Sequence, residues 1–227
     1  MNQNTKEPQY QFMVDLENRE GLETLGLMSS QVWHDDPRRL TFLLARYKFV
    51  SKMFAGMNKV LEVGCADAFG TRIVRQEVPE VVAADFDPAF IERNKAAGPH
   101  PRWNITFQTH DMMAGPLGRD FDGVYAIDVI EHIPEKNEDQ FIGNMVGSLN
   151  AHGVCIIGSP SIHSQPYASP PSKAGHVNCK DAPGMRKLMG NFFHNVFIFS
   201  MNDEVVHTGF YPMAHYLFAL CSARKSS

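Results

Sequence analysis

The sequence has little cysteine, no paired cysteine spacing, no block of basic residues and no long apolar run. Its four cysteines, Cys65, Cys155, Cys179 and Cys221, lie far apart, so neither a disulfide framework nor a zinc knuckle is indicated. Twenty-one Lys+Arg against 25 Asp+Glu give a formal charge of −4. A nucleic-acid partner is disfavoured, because a sequence-independent grip on a duplex requires a positive face. No apolar run approaches the roughly 18 residues of a membrane span, so no membrane partner is expected. The polar N-terminal run MNQNTKEPQYQ has none of the apolar stretch of a signal peptide, which predicts a soluble, cytoplasmic protein. A 44% hydrophobic content is enough to bury a core, which excludes a disordered or fibrous chain.

The texture changes twice along the chain, and no internal repeat is present. Residues 1–57 read as a helical cap or lid. Pro37 opens an amphipathic stretch with Leu40, Leu43, Leu44, Tyr47 and Val50 at helical spacing. From residue 58 short apolar runs alternate with polar helix-like segments. The runs are KVLEV (59–63), EVVAAD (80–85), NITFQT (104–109), FDGVYAID (121–128) and GVCIIGS (153–159). Such alternation predicts crossover units and a parallel sheet covered on both faces. Residues 161–180 are rich in Pro, Ser and Gly, and a connection this long is usually a functional lid or disordered. A short helix, DAPGMRKLMG, follows. NVFIFSM (195–201) and HYLFALCSA (215–223) then read as a terminal antiparallel pair.

The most informative stretch is VLEVGCADAFGTRIV. A buried strand ends at Glu62–Val63, Gly64 opens a tight turn, and Gly70 leads into a helix. That turn occupies the carboxyl end of the first strand, where open α/β sheets bind ligands. Asp85 ends the next strand, placed to accept hydrogen bonds from a ribose diol. A dinucleotide would need glycine where Ala66 and Ala68 stand, and Glu62 and Asp67 would repel its diphosphate. A ligand carrying an ammonium and a sulfonium would be attracted by the same acids.

These segments resemble the ordered motifs of class I S-adenosylmethionine-dependent methyltransferases. VLEVGCADAFG is similar to the first motif, VVAADFDPAFI to the second, THDMM to the third, FDGVYAIDVIEHI to the fourth and GVCIIGSPS to the fifth strand. Together they cover residues 58–160. The resemblance implies a Rossmann-like fold with a seven-stranded, mostly parallel sheet and a C-terminal antiparallel strand pair. It makes residues 58–227 the cofactor-binding domain, with 161–180 as a substrate-side loop. It also implies that Glu62 and Gly64 contact the methionine end of the cofactor and that Asp85 binds the ribose. Asp111 and Met112 would frame the adenine and Asp128 would line the methionine side, with Ala66, Gly70 and Phe86 completing the set. Alanine at positions 66 and 68 departs from the family's glycines; it tightens the turn without forbidding binding, since glycine matters most where φ is positive or backbone touches ligand.

Asp128, Glu131 and His132 stand at i, i+3 and i+4. On one helical turn they would share a face able to hold Mg²⁺, Mn²⁺ or Fe²⁺, with His176 as a fourth ligand. The pattern resembles that of two metal-dependent branches of the same superfamily, the ubiquinone-biosynthesis O-methyltransferases and the 3′-terminal 2′-O-methyltransferases of small RNAs. Many metal-free relatives also carry Glu-His after the fourth strand. His132, His176 and His207 are the candidate catalytic bases, with His163 nearby. The turn holding Asn202, Asp203, Glu204, His207 and Tyr211 is expected beside the acceptor pocket. Trp33, Tyr10, Phe12 and Met13 are candidate lid residues, capping the cleft or anchoring a lid that closes on cofactor binding. The expected function is methyl transfer from S-adenosylmethionine to a small molecule, at oxygen in preference to nitrogen. An N-methyltransferase of an amino sugar, a nicotinamide-dependent oxidoreductase and a non-catalytic cofactor-binding protein are the alternatives.

Overall fold

The computed structural model describes residues 4–98, 100 and 102–226. Three helices lead: α1 (Gln11–Glu20), α2 (Leu27–Asp35) and α3 (Arg38–Met53). Pro37 stands at the N-cap of α3, where its missing N–H costs no helical hydrogen bond. Tyr47 and Val50 then face inward at helical spacing. The alternating region follows as β1 (Lys59–Val63), α4 (Thr71–Arg75), β2 (Glu80–Asp85), α5 (Pro88–Ala96), β3 (Ile105–Thr109), β4 (Phe121–Ile127), α6 (Glu135–Gly147) and β5 (Leu149–Pro160). Two short helical pieces, Ile162–Tyr167 and α7 (Pro170–Gly175), break up the next segment. The chain closes with α8 (Ala182–Gly190), β6 (Phe193–Asn202), β7 (Val205–His207) and β8 (Tyr216–Arg224).

The strands form one sheet in the order β3-β2-β1-β4-β5-β8-β6-β7. β1 to β5 run parallel, and β8 inserts antiparallel between β5 and β6. The sequence predicts seven strands; the eighth, β7, is a three-residue edge hairpin with β6 inside the expected turn. The apolar runs β1, β2 and β4 are buried on both faces, as a doubly covered sheet requires. One face packs Val60, Val81 and Tyr125 against α3 and α4, through Tyr47, Val50, Phe54 and Val74. The other packs Leu61, Val82 and Val124 against Phe141, Ile142 and Met145 of α6 and Met185 and Leu188 of α8. β3 is an edge strand, and its exposed polar residues mark it as such.

The loop 161–180 is closed at its base. Ser161 and Lys180 form an isolated bridge, and the Ile162 N–H donates to the Lys180 carbonyl at 3.0 Å. No helix among the described residues is long and apolar enough to cross a membrane.

Candidate active site

The turn after β1 is built on left-handed backbone. Gly64, Ala66 and Ala68 take φ of 77°, 45° and 53°. Gly64 can carry no side chain, because a Cβ there would collide with Val129. Ala66 and Ala68 adopt the conformation that glycine would adopt more cheaply, at about 1 kcal/mol of strain each. Other bonds hold them there. The N–H groups of Gly64 and Cys65 donate to the Ala84 carbonyl at 2.8 and 3.0 Å, and Ala66 N–H donates to Asp85 Oδ2 at 2.9 Å. The second Asp85 oxygen accepts from Asp87 N–H at 2.9 Å. Each oxygen keeps a further lone pair for a hydroxyl donor. Beside it, Phe86 stands 73% exposed, a flat face at the tip of β2.

Glu62 lies underneath this turn. Its carboxylate is buried and accepts from Tyr47 Oη at 2.8 Å, Thr71 Oγ1 at 2.5 Å and Tyr125 Oη at 2.9 Å. Burial pushes the carboxyl above its ordinary value, opposed by those three hydroxyls. The sequence predicts a cofactor contact at Glu62. In the structure the carboxylate is buried under the turn and bonded by two tyrosines and a threonine from α3, β4 and α4. Gly70 is likewise a packing residue, lying against the Tyr47 ring with no room for a Cβ. Asp67 faces the N-terminal helices. It accepts from Ser29 N–H at 2.7 Å, in the first turn of α2, and from Phe69 N–H at 3.3 Å. Met112 is buried in the core, its carbonyl held by Asn144 Nδ2 at 2.7 Å, and Asp111 is exposed and accepts from Met113 N–H at 2.8 Å.

Asp128 follows β4 directly, with φ 59°. Its carboxylate pairs with Arg46 of α3 at 2.6 Å. The guanidinium also lies over the Tyr216 ring, 3.9 Å from its centroid, and its Nε is buried without a partner. Sequence reasoning missed Arg46, and its only sequence signal is a lone cation among the apolar positions of an amphipathic helix. His215, just before β8, was missed as well. Its carbonyl accepts from Ser161 N–H at 2.9 Å, which places it at the carboxyl end of β5.

The predicted quartet assembles as three. Glu131, His132 and His176 bring one ligand atom each to within 4.8 Å of one another. His132 Nδ1 donates to the Gly175 carbonyl at 2.9 Å and His176 Nδ1 bonds to Gln165 Oε1 at 3.0 Å, which leaves both Nε2 atoms for a ligand. Glu131 is buried, and its Oε2 has no partner. Burial first, and the Asp128 charge second, push its carboxyl well up. Burial and the neighbouring His132 hold His176 below its ordinary value. Two imidazoles and a carboxylate fit a divalent first-row metal. Asp128 does not join them. The helical turn covers only Ile130–His132 and is of the 3₁₀ type, so the predicted i, i+3, i+4 face is not formed, and Asp128 points to Arg46.

His207 is fully committed: Nδ1 accepts from Gly209 N–H at 2.9 Å and Nε2 donates to Asn202 Oδ1 at 2.9 Å. With no lone pair free it is a turn-building residue, not the predicted base. Asn202 itself donates to the Met213 carbonyl, while Asp203 and Glu204 are exposed at the hairpin tip. The exposed His163 lies 6.1 Å from the half-buried Tyr211, ring to ring. Trp33 is 57% exposed, and Tyr10, Phe12 and Met13 are exposed too, so none is a buried anchor. α1 and α2 enclose a cavity of about 1110 Å³ against α4, α5 and β3, behind the Gly64–Gly70 turn.

The family described as "Methyltransferase domain" matches residues 60–153. No curated protein matches. Among solved structures the chain is similar to the N-methyltransferase NodS from Bradyrhizobium japonicum WM9 in complex with S-adenosyl-L-homocysteine. The identity is 20%, the TM-score 0.60, and the match covers 84% of this chain and 90% of that one. It is also similar to DhpI in a SAM–HEP complex, at 16% identity and TM-score 0.58 over 88% and 99% of the two chains. The methyltransferase domain of a bacterial protein, CtHen1-C, aligns at 13% identity and TM-score 0.66 over 81% and 97%.

Proposed function

We propose that this chain, whose residues 60–153 match the family described as "Methyltransferase domain", moves a methyl group from S-adenosylmethionine to a hydroxyl of a small molecule. The observation that carries the reading is Arg46. Its buried, unpartnered Nε stands beside Asp128 at the tip of β4. An orphaned cationic donor next to a carboxylate suits the carboxylate and ammonium of a methionine moiety. Asp85 keeps lone pairs for the ribose hydroxyls, and Phe86 offers a face for the adenine. Glu62 acts through the turn it supports, and Ala66 lines that turn.

A sulfonium leaves as a neutral thioether, so the protein's task is alignment, exclusion of water and removal of the acceptor's proton. Glu131, His132 and His176 are the residues that would hold a divalent cation, which when bound lowers the pKa of a coordinated hydroxyl. That set favours oxygen, because an amine needs no such help. NodS is an N-methyltransferase by its own name, so an amine acceptor is the second reading. Solubility in the cytoplasm and closure of α1 and α2 over the cleft belong to the same proposal.

Calorimetry with S-adenosylmethionine and with NAD tests the donor: binding of the first and not the second is expected. A screen of small hydroxyl and amine compounds, read by release of S-adenosylhomocysteine, tests the acceptor. Turnover of amines alone, undiminished by chelator, overturns the hydroxyl reading and removes the cation from it.

A further inference from the structure

Five buried side-chain polar atoms have no partner among the described residues. One, Ser29 Oγ, sits at the base of α2. The other four are Arg46 Nε, which reaches from α3 to Asp128, Glu131 Oε2 just after β4, and Tyr216 Oη and His215 Nε2 at the start of β8. An unmade hydrogen bond at a buried polar atom costs about 1–3 kcal/mol. Four gathered at one end of one sheet mark a place where polar groups of a ligand complete them. Arg46 and Tyr216 face the cofactor's methionine end through Asp128, and Glu131 belongs to the His132–His176 cluster. His215 Nε2 alone has no assigned partner.

We propose that His215 is the base that takes the proton of the acceptor hydroxyl. The inference rests on the hydroxyl reading above. His215 is held at its backbone by Ser161, whose N–H donates to its carbonyl, and at its ring by Phe42 of α3, which meets it edge-on at 5.9 Å, while the charges of Arg46 and Asp203 act on it. Burial, then the Arg46 charge, hold the imidazole below its ordinary value, with Asp203 opposing. That environment favours the neutral imidazole, the form able to accept a proton. The other histidines of the cleft are less free. His207 has both ring nitrogens occupied, and His132 and His176 are clustered with Glu131, each bringing one ligand atom to within 4.8 Å of the others. In the step, the acceptor oxygen forms its bond to the methyl carbon as the methyl–sulfur bond breaks, sulfur keeping the electron pair. The hydroxyl proton passes to Nε2, and the positive charge of the sulfonium reappears on the imidazolium, which returns the proton to water.

The test uses the full chain labelled with ¹⁵N-histidine, with S-adenosylhomocysteine bound and phenol or benzyl alcohol added as probe acceptors. The His215 ring is assigned by its disappearance in His215→Asn. At pH 7.5 its Nε2 should carry a lone pair and shift when phenol is added. A protonated Nε2, or a ring unmoved by both probes, overturns the proposal. In turnover with the same probes, His215→Asn should lower kcat by 10²–10⁴-fold, leave KM and S-adenosylmethionine affinity near the wild-type values, and abolish the acid limb of the pH–rate profile. Equal rates in variant and wild type overturn it. If neither probe is methylated by the wild type, the spectrum decides alone. Failure of S-adenosylmethionine to bind the wild type would instead strike the underlying reading.

Discussion

The carboxyl edge of the sheet has two halves of opposite character. At the tips of β1 and β2 every acid is occupied: Glu62 by three hydroxyls, Asp85 by two backbone N–H groups and Asp67 by the first turn of α2. At the tips of β4 and β5 and the start of β8, Arg46, Glu131, His215 and Tyr216 each keep a buried polar atom without a partner. In the first half every carboxylate is already bonded within the folded chain and holds the turn in a strained shape, with Asp85 keeping one further lone pair on each oxygen. The second half is left unfinished, which the chain tolerates where a ligand supplies the missing partners. The contrast separates acids whose bonds already shape the site, Asp85 among them with lone pairs to spare, from polar atoms that have no partner in the folded chain.

The largest effect is expected from the completed half. Glu62→Ala removes the acceptor of three hydroxyls, two of them on buried tyrosines, and should cost about 3 kcal/mol or more in urea unfolding. Glu62→Gln, which retains one acceptor oxygen, should cost less. A Glu62→Ala protein of wild-type stability would erase the contrast. Next comes Arg46→Ala in the unfinished half. It should weaken S-adenosylmethionine binding at least 10-fold by calorimetry, and a variant binding as tightly as wild type would remove Arg46 from the cofactor's methionine end.

A smaller effect concerns pH. Folding holds the His215 imidazole below its ordinary value of 6.5, so its protonation favours the unfolded chain. The stability it permits is present above pH 6.5 and falls away as the pH drops through its folded value. His215→Asn should flatten that acid-side loss in denaturant midpoints, and an unchanged slope would show that the ring is not held in its unprotonated form. The smallest effect belongs to the turn. Ala66→Gly relieves a φ of 45° and should raise stability by about 0.5–1 kcal/mol; a clear loss would mean that the Ala66 methyl contributes more by packing than its backbone costs.

Much of the fold was legible because buried parallel strands announce themselves as unbroken apolar runs. KVLEV, EVVAAD and FDGVYAI are strands at the predicted positions. α4, the helix into which Gly70 leads, is a short one ending at Arg75, and β7 arises where only a turn was read. Three residues on a sheet edge leave no period to detect. The site was legible in part. Spacing identified the turn and the acid of β2, yet the DVIEH helix failed because Asp128 takes left-handed backbone and breaks the period that would align it with Glu131. His207 reads like any other histidine in sequence, and only its hydrogen bonds to Gly209 and Asn202 show that it has no free nitrogen.

Local pattern therefore decided which segments became strands and helices and their order, since each depends on neighbours within a few residues. Tertiary structure alone decided which charges are spent and which are left over. Arg46 meets Asp128 across 82 positions, and Glu62 meets Tyr125 across 63. Such pairings are set by how layers stack and carry no periodic trace in the chain.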